Sequence, residues 1–242
     1  MKRVSTLNAQ QSTFCYDYPR PALTIDCVVF GLDLERLKVL LVQRDTEPFQ
    51  NRWSLPGGFV RMEESLDECA KRVLLNKTGC ENIYFEQLYT FGTPDRDPRG
   101  RTISVAYYAL VNSPEFPLEE DAARSRSQAD WLDIHNIPKL AFDHNHILRT
   151  ALARLRAKIT YQPIGFELLP KKFTLSRLQK LYELILGETL DKRNFRKKLL
   201  GYGILKPLQA WERLGRQRPA QLYSFDPVAY KRLINEGSTF EV

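Results

Sequence analysis

Apolar positions in the first half of the chain follow two rhythms. The stretch PALTIDCVVFGLDLERLKVLLVQRD (21–45) holds two runs rich in Val, Ile and Leu, which predict two β-strands joined by a turn. WSLPGGFV punctuates the chain with Pro-Gly-Gly and leads into a helical period. There Leu66, Cys69, Ala70, Val73 and Leu74 recur at i, i+3, i+4, i+7 and i+8 as one apolar stripe. Glu64 or Ser65 can begin that helix, Asp67 and Glu68 suit its positive end, and Gly79 can close it. IYFEQLYTFG and RTISVAYYALV predict further strands on either side of the polar loop TPDRDPRGR, and ADWLDI predicts another. Asp143 is the expected N-cap of a long helix whose apolar face is Leu148, Ala151, Leu152, Leu155 and Ile159.

TYQPIG (160–165) reads as a linker, so the expected domains are residues 1–160 and 161–242. Beyond it Thr174 can cap a helix with Leu178, Leu181, Tyr182 and Ile185 on one face and Gly187 at its end. After the short turn GETL, Asp191 can cap a second helix, DKRNFRKKLLGYG, buried through Phe195, Leu199 and Leu200. ILKPL and AQLYSFD predict a hairpin around the basic loop ERLGRQRPA. Helix, tight turn, basic helix and basic-tipped hairpin outline a winged helix-turn-helix.

Charge sharpens this division. Residues 1–148 carry 17 Lys/Arg against 21 Asp/Glu, whereas residues 149–242 carry 19 against 8. The second half therefore holds a net +11 and expects a polyanionic partner. No apolar run approaches the roughly 18–20 residues that span a bilayer, so no membrane partner is expected. The chain opens with two cations, Lys2 and Arg3, with no apolar block behind them, unlike a secretory signal. Cys15, Cys27, Cys69 and Cys80 form no CxxC pair and have no histidine at a metal spacing, so reduced thiols in the cytoplasm are expected.

GGFVRMEESLDECAKRVLLNKTGC (57–80) resembles the Nudix box, Gly-x5-Glu-x7-Arg-Glu-apolar-x-Glu-Glu-x-Gly-apolar. Gly58, Glu64, Arg72, Leu74, Gly79 and Cys80 occupy the glycine, first glutamate, arginine and apolar positions. The remaining three glutamates fall on Val73, Asn76 and Lys77. Spaced i, i+3 and i+4, those positions share a helix face, where carboxylates would hold Mg²⁺ against a pyrophosphate. Valine offers no oxygen, asparagine one neutral oxygen, and lysine an ammonium. The expectation is therefore no catalytic residue, no metal and no cofactor, with Glu64 and Arg72 bracing the loop.

A retained scaffold can still bind. Lys77 and the amides near Gly57 and Gly58 can attract phosphate. In the loop DRDPRGR, Arg99 and Arg101 can grip an anion, although Asp97 can simply pair with them. Tyr107 and Tyr108 alternate faces, so that one, taken as Tyr108, can stack on a base or sugar. Arg44, Asp143 and His144 complete the candidate ligand set. In the basic helix Arg193, Asn194 and Arg196 are candidate base readers and Lys192 and Lys197 candidate phosphate contacts. Thr174 and the wing arginines Arg216 and Arg218 join the candidate DNA set.

RDPRGR, AFDH, FTLSRLQKLYELILG and LDKRNFRKK carry a resemblance to bacterial Nudix-related transcriptional regulators. That resemblance implies an α+β chain: a Nudix-like mixed sheet flanked by helices, followed by a winged helix-turn-helix. It implies a sensor for ADP-ribose or a related NAD metabolite, or for a pentose in similar proteins. It also implies a homodimer on a palindromic double-stranded operator. Two alternatives stand beside the repressor: an active ADP-ribose pyrophosphatase with a basic accessory domain, and a general nucleic-acid binder.

Overall fold

Strands β1 (Ala22–Leu32) and β6 (Thr102–Val111) lie parallel and in unbroken register, from Ala22 opposite Thr102 to Gly31 opposite Val111. The computed structural model describes residues 18–33, 36–78, 83–112, 129–213 and 218–242. Around this central pair the sheet adds β2 (Leu37–Gln43), β3 (Trp53–Ser54), β4 (Gly57–Phe59), β5 (Tyr84–Phe91) and β7 (Ala129–Asp133). The strand order is β3-β2-β1-β6-β5, with β4 also on β1 and β7 also on β2. Strands covered on both faces need apolar side chains on both, which is why β1 and β6 read as continuous apolar runs.

Alternation along β1 sorts the core into two layers. Ile25, Cys27 and Val29 pack with Cys69, Ala70 and Val73 of α1 (Leu66–Thr78). Val28, Phe30 and Leu32 pack with Ile147, Ala151 and Leu155 of α2 (His144–Tyr161). Tyr107 and Tyr108 do alternate, but one is buried in each layer. Tyr108 is wholly enclosed, so it cannot stack on a ligand as the sequence reading had it.

The expected linker is a packed joint. Residues Ile164–Leu168 form a 3-10 turn with Ile164 and Phe166 buried. A Cβ on Gly165 would stand 3.1 Å from Ile159 and 3.2 Å from Leu181, a close approach that a larger residue could share only by moving those side chains. Beyond lie β8 (Phe173–Thr174), α3 (Leu175–Leu186), α4 (Lys192–Gly201), β9 (Leu205–Glu212) and β10 (Ala220–Phe225). β8, β10 and β9 make a small antiparallel sheet beside the two helices, the winged helix-turn-helix arrangement. Helix α5 (Pro227–Asn235) was not anticipated. Neither was the return of the C-terminus: Phe240 is buried, and the Val242 amide donates to the Thr160 carbonyl at 2.9 Å.

Leu200 was expected in the buried face of α4 but is 45% exposed, whereas Leu155 is fully buried. Leu155→Ala should therefore cost about 2–5 kcal/mol in denaturant unfolding and Leu200→Ala less than about 0.5 kcal/mol. Equal costs would contradict this packing.

Candidate functional site

Ser65, rather than Glu64, caps α1. Its Oγ accepts the Glu68 amide at 3.3 Å, while the Glu68 carboxylate accepts the Ser65 amide at 2.7 Å, a reciprocal capping box. Glu64 instead accepts Arg72 Nε at 2.8 Å, Arg72 Nη2 at 2.5 Å and the Arg61 amide at 2.8 Å. Hydrogen bonding to Arg72 pulls the Glu64 carboxyl down to about 2. Arg72 also donates to the Phe59 carbonyl at 3.1 Å, so the pair braces the loop against the helix as expected. Val73 is buried in the α1 layer and Asn76 is exposed. The side chain of Lys77, with Gly79 and Cys80, lies outside the described residues.

A cavity of about 300 Å³ opens between β1, the β2–β3 loop, β4, the β5–β6 loop and the start of α2. Its floor is a buried polar network that sequence reasoning missed. Asp26 Oδ2 accepts Ser104 Oγ at 2.6 Å and Arg96 Nη2 at 3.3 Å. Arg96 also donates to Asp143, from Nη2 at 2.6 Å and from Nε at 3.0 Å. Burial opposes the Arg96 charge, but the Asp143 and Asp26 carboxylates outweigh it and raise the pKa. His144 Nδ1 accepts the Leu55 amide at 2.9 Å, which leaves the proton on Nε2, 3.4 Å from Asp26 Oδ1. Burial lowers the His144 pKa and favours this neutral form. A Cβ on Gly57 would come within 2.5 Å of Asp26 Oδ1 and 2.7 Å of the Ile25 carbonyl, so β4 can approach β1 here only as glycine.

Cations and aromatic rings form the cavity mouth. The Arg99 guanidinium lies 5.4 Å from the centroids of both Phe59 and Phe142, and Arg44 lies 4.9 Å from that of Phe142. Arg44 is also a loop clamp: Nε donates to the Pro48 carbonyl at 2.8 Å and Nη2 to the Thr46 carbonyl at 3.4 Å. Among the candidate ligand residues, Arg44, Gly57, Gly58, Asp97, Arg99 and His144 line the cavity. Asp97 is occupied by Arg99, which reaches its two oxygens at 3.0 and 2.7 Å.

The other candidates depart from expectation. Arg101 turns away and donates to the Gly92 carbonyl at 2.6 Å, outside the cavity lining. Asp143 makes no side-chain cap, because its carboxylate is committed to Arg96. It braces the floor without lining it. His144 is buried, while His146 is exposed with its ring edge-on to Phe91. Phe59 was missed because an exposed phenylalanine has no sequence signature, whereas the half-buried Phe142 lies in the segment FDHNH that the sequence already marks at the helix start. Asp26 had one: an acid inside the apolar run LTIDCVVF needs a buried partner.

In the winged helix, Thr174 caps α3 by accepting the Arg177 amide at 3.2 Å and is buried. It has no surface to offer DNA, which corrects that assignment. Asp191 caps α4 by accepting the Asn194 amide at 2.8 Å. This cap starts the helix at Lys192 and leaves Lys192, Arg193, Asn194 and Lys197 exposed on it. Arg196 is half-buried, donating to Ser176 Oγ at 2.8 Å, so it ties α4 to α3 rather than standing free to read a base. Arg213 and Arg218 are exposed at the two ends of the wing, and Arg216 lies outside the described residues. The exposed cations of α4 are of the kind a phosphate backbone accepts, and Arg193 and Asn194 lie in its first turn.

Comparisons with known proteins cover both halves. The NUDIX domain family matches residues 20–155, and the NrtR DNA-binding winged helix domain family matches residues 165–225. The ADPR responsive transcriptional repressor NtrR of Acinetobacter baylyi is 39% identical over 213 residues, covering 86% of this chain and 84% of the relative. The crystal structure of Shewanella oneidensis NrtR complexed with a 27mer DNA superposes with a TM-score of 0.76 at 36% identity. It covers 86% of this chain and 95% of that one. The NUDIX domain of the same protein, complexed with ADP ribose, matches with a TM-score of 0.50 at 35% identity. It covers 58% of this chain and 94% of that one. The chain belongs to the NrtR family, in which a Nudix domain is followed by a winged helix.

Proposed function

We propose that this chain is a transcriptional repressor whose Nudix domain binds ADP-ribose and whose winged helix thereupon releases operator DNA. The observation that carries the reading is the 39% identity to an ADPR responsive repressor, which runs through both halves of the chain. The geometry supports it at each end. The cavity has the size of a small-molecule site, with aromatic rings and guanidinium groups at its mouth for a base and phosphates. The exposed face of α4 supplies cations to the duplex.

The reading makes the Nudix domain a binder without turnover. Position 73 is committed to the core and position 76 bears a neutral amide, which removes carboxylate ligands from the helix face that would hold a metal. A single winged helix reads one half-site, so the active species is a homodimer on a palindromic operator. No helix among the described residues is long and apolar enough to cross a membrane, in keeping with a cytoplasmic site of action. The proposed domain boundary is residue 160, ahead of the packed joint that begins at Ile164.

Binding to DNA upstream of the chain's own gene should weaken at least about tenfold with saturating ADP-ribose, a coupling of about 1.4 kcal/mol. Pentose sugars should leave it unchanged. ADP-ribose should survive incubation with the protein and Mg²⁺; brisk hydrolysis with no duplex binding would establish the pyrophosphatase instead. Arg193→Ala should lose about 1–3 kcal/mol of operator preference over scrambled DNA. Lys197→Ala should instead weaken both duplexes alike and reduce the log–log salt slope by about 0.9. The neutral His144 yields a pH expectation of definite sign. Its folded pKa lies below the ordinary 6.5, so its contribution to stability is complete above pH 6.5 and is lost as pH falls through the folded value. Denaturant unfolding should show a decline below pH 6.5 that is smaller in His144→Asn.

A further inference from the structure

The helix that lines the cavity is also the helix that touches the winged helix. At its start, Phe142 and His144 line the cavity, and Asp143 is fixed to the buried Arg96. From there α2 runs without interruption to Tyr161, about 27 Å at 1.5 Å per residue. Three turns along, Arg156 Nε donates to the carbonyl of Ile185 at 2.8 Å, in the last turn of α3. That turn has no basic residue of its own, so α2 supplies the cation that a helix C-terminus favours. Gly187, left-handed at φ 80°, closes α3 beside the same guanidinium.

From α3 the connection to the basic helix is stiff. Glu183 Oε1 accepts the Leu190 amide at 3.1 Å and Gln179 Nε2 at 3.0 Å, and Gln179 also donates to the Leu190 carbonyl at 3.0 Å. These bonds bind the α3–α4 turn to α3, and the Arg196–Ser176 hydrogen bond adds a second tie. Displacing the end of α3 therefore carries α4 with it.

Resting on the sensor reading above, we propose that Arg156 is the positioning residue through which α2 transmits occupancy of the cavity to the winged helix. A ligand acts on the Phe142–His144 end of a rigid helix, and the Arg156–Ile185 hydrogen bond delivers the shift to α3 and hence to α4. Arg156 is outside the cavity lining and lies on α2, not on the basic helix α4 or the wing. Its removal should lower the coupling between the two sites while sparing each site.

The test measures three quantities on the full chain: ADP-ribose affinity by calorimetry, and affinity for the upstream DNA fragment with and without saturating ADP-ribose. In Arg156→Met, ADP-ribose affinity and ligand-free DNA affinity should stay within about twofold of wild type. The ligand-induced loss of DNA affinity should shrink from at least about tenfold to about twofold or less. Arg156→Lys, which keeps a donor and a charge, should retain most of the response. Arg156→Met responding like wild type would overturn the proposal, as would loss of either ligand-free DNA binding or ADP-ribose binding in that variant, since Arg156 would then be simple support. A wild-type protein that binds DNA but ignores ADP-ribose would defeat the sensor reading itself, an outcome the same titration separates.

Discussion

A guanidinium stays charged out of water, so its burial is tolerated only where carboxylates meet it, and Arg96 is met from two directions at once. Asp26 reaches it from the central strand and Asp143 from the start of α2. The three residues come from segments far apart in sequence, so their meeting fixes how β1, the β5–β6 loop and α2 converge. Removing one partner from such a buried pair typically costs about 3–5 kcal/mol, because the remaining charge is stranded. Everything at the cavity floor leans on this joint. His144 takes its tautomer from the Leu55 amide and its orientation toward Asp26. Gly57 must be glycine because Asp26 stands where a side chain would go.

Strain collects at the mouth rather than the floor. Phe49, Asn51 and Phe142 all have positive φ without being glycine, at 67°, 63° and 52°. Each such residue costs on the order of 1 kcal/mol or more and persists only where surrounding contacts over-determine it. Those contacts are visible: Arg44 clamps the loop through Pro48 and Thr46, and the Asn51 amide returns to the Arg44 carbonyl at 2.8 Å. Phe49 packs edge-on to Phe142 with centroids 5.0 Å apart. A mouth held in this form has already met the ordering cost that a ligand would otherwise bear.

Local signals were legible in proportion to how local their physics is. The apolar runs of β1 and β6, the stripe on α1, the caps at Thr174 and Asp191 and the Gly187 stop each depend on neighbours within a few residues. Reading them sufficed. Glu64 and Arg72, eight apart on one loop and helix, were paired correctly for the same reason. The errors concern residues whose partners lie far along the chain. Asp143 has the right spacing for a cap, yet it is drawn to Arg96, 47 residues away. Thr174 was read both as a cap and as a DNA contact, and only burial separates the two. Tyr108 alternates as predicted, but a strand covered on both faces leaves no open side. Helix α5, nine residues long, was passed over because none of its residues is fully buried, leaving no stripe of core positions to read.

Sensing and turnover place opposite demands on one pocket. A hydrolase gains from interactions made only in the transition state, whereas a sensor gains from ground-state affinity that differs between two conformations. The frame of α1 suits the second demand. Its bracing elements remain, with the capping box at Ser65 and the Glu64–Arg72 pair intact. Of the positions where the box would carry its further glutamates, Val73 joins the core and Asn76 stays exposed. On the proposed sensor reading, a ligand that is not consumed can hold an equilibrium, and its differential affinity is what would shift α2. About 1.4 kcal/mol of differential affinity suffices for a tenfold change at the DNA. That is comparable to a single good hydrogen bond, so contacts at one end of α2 and one bond at the other are of the right magnitude to carry it.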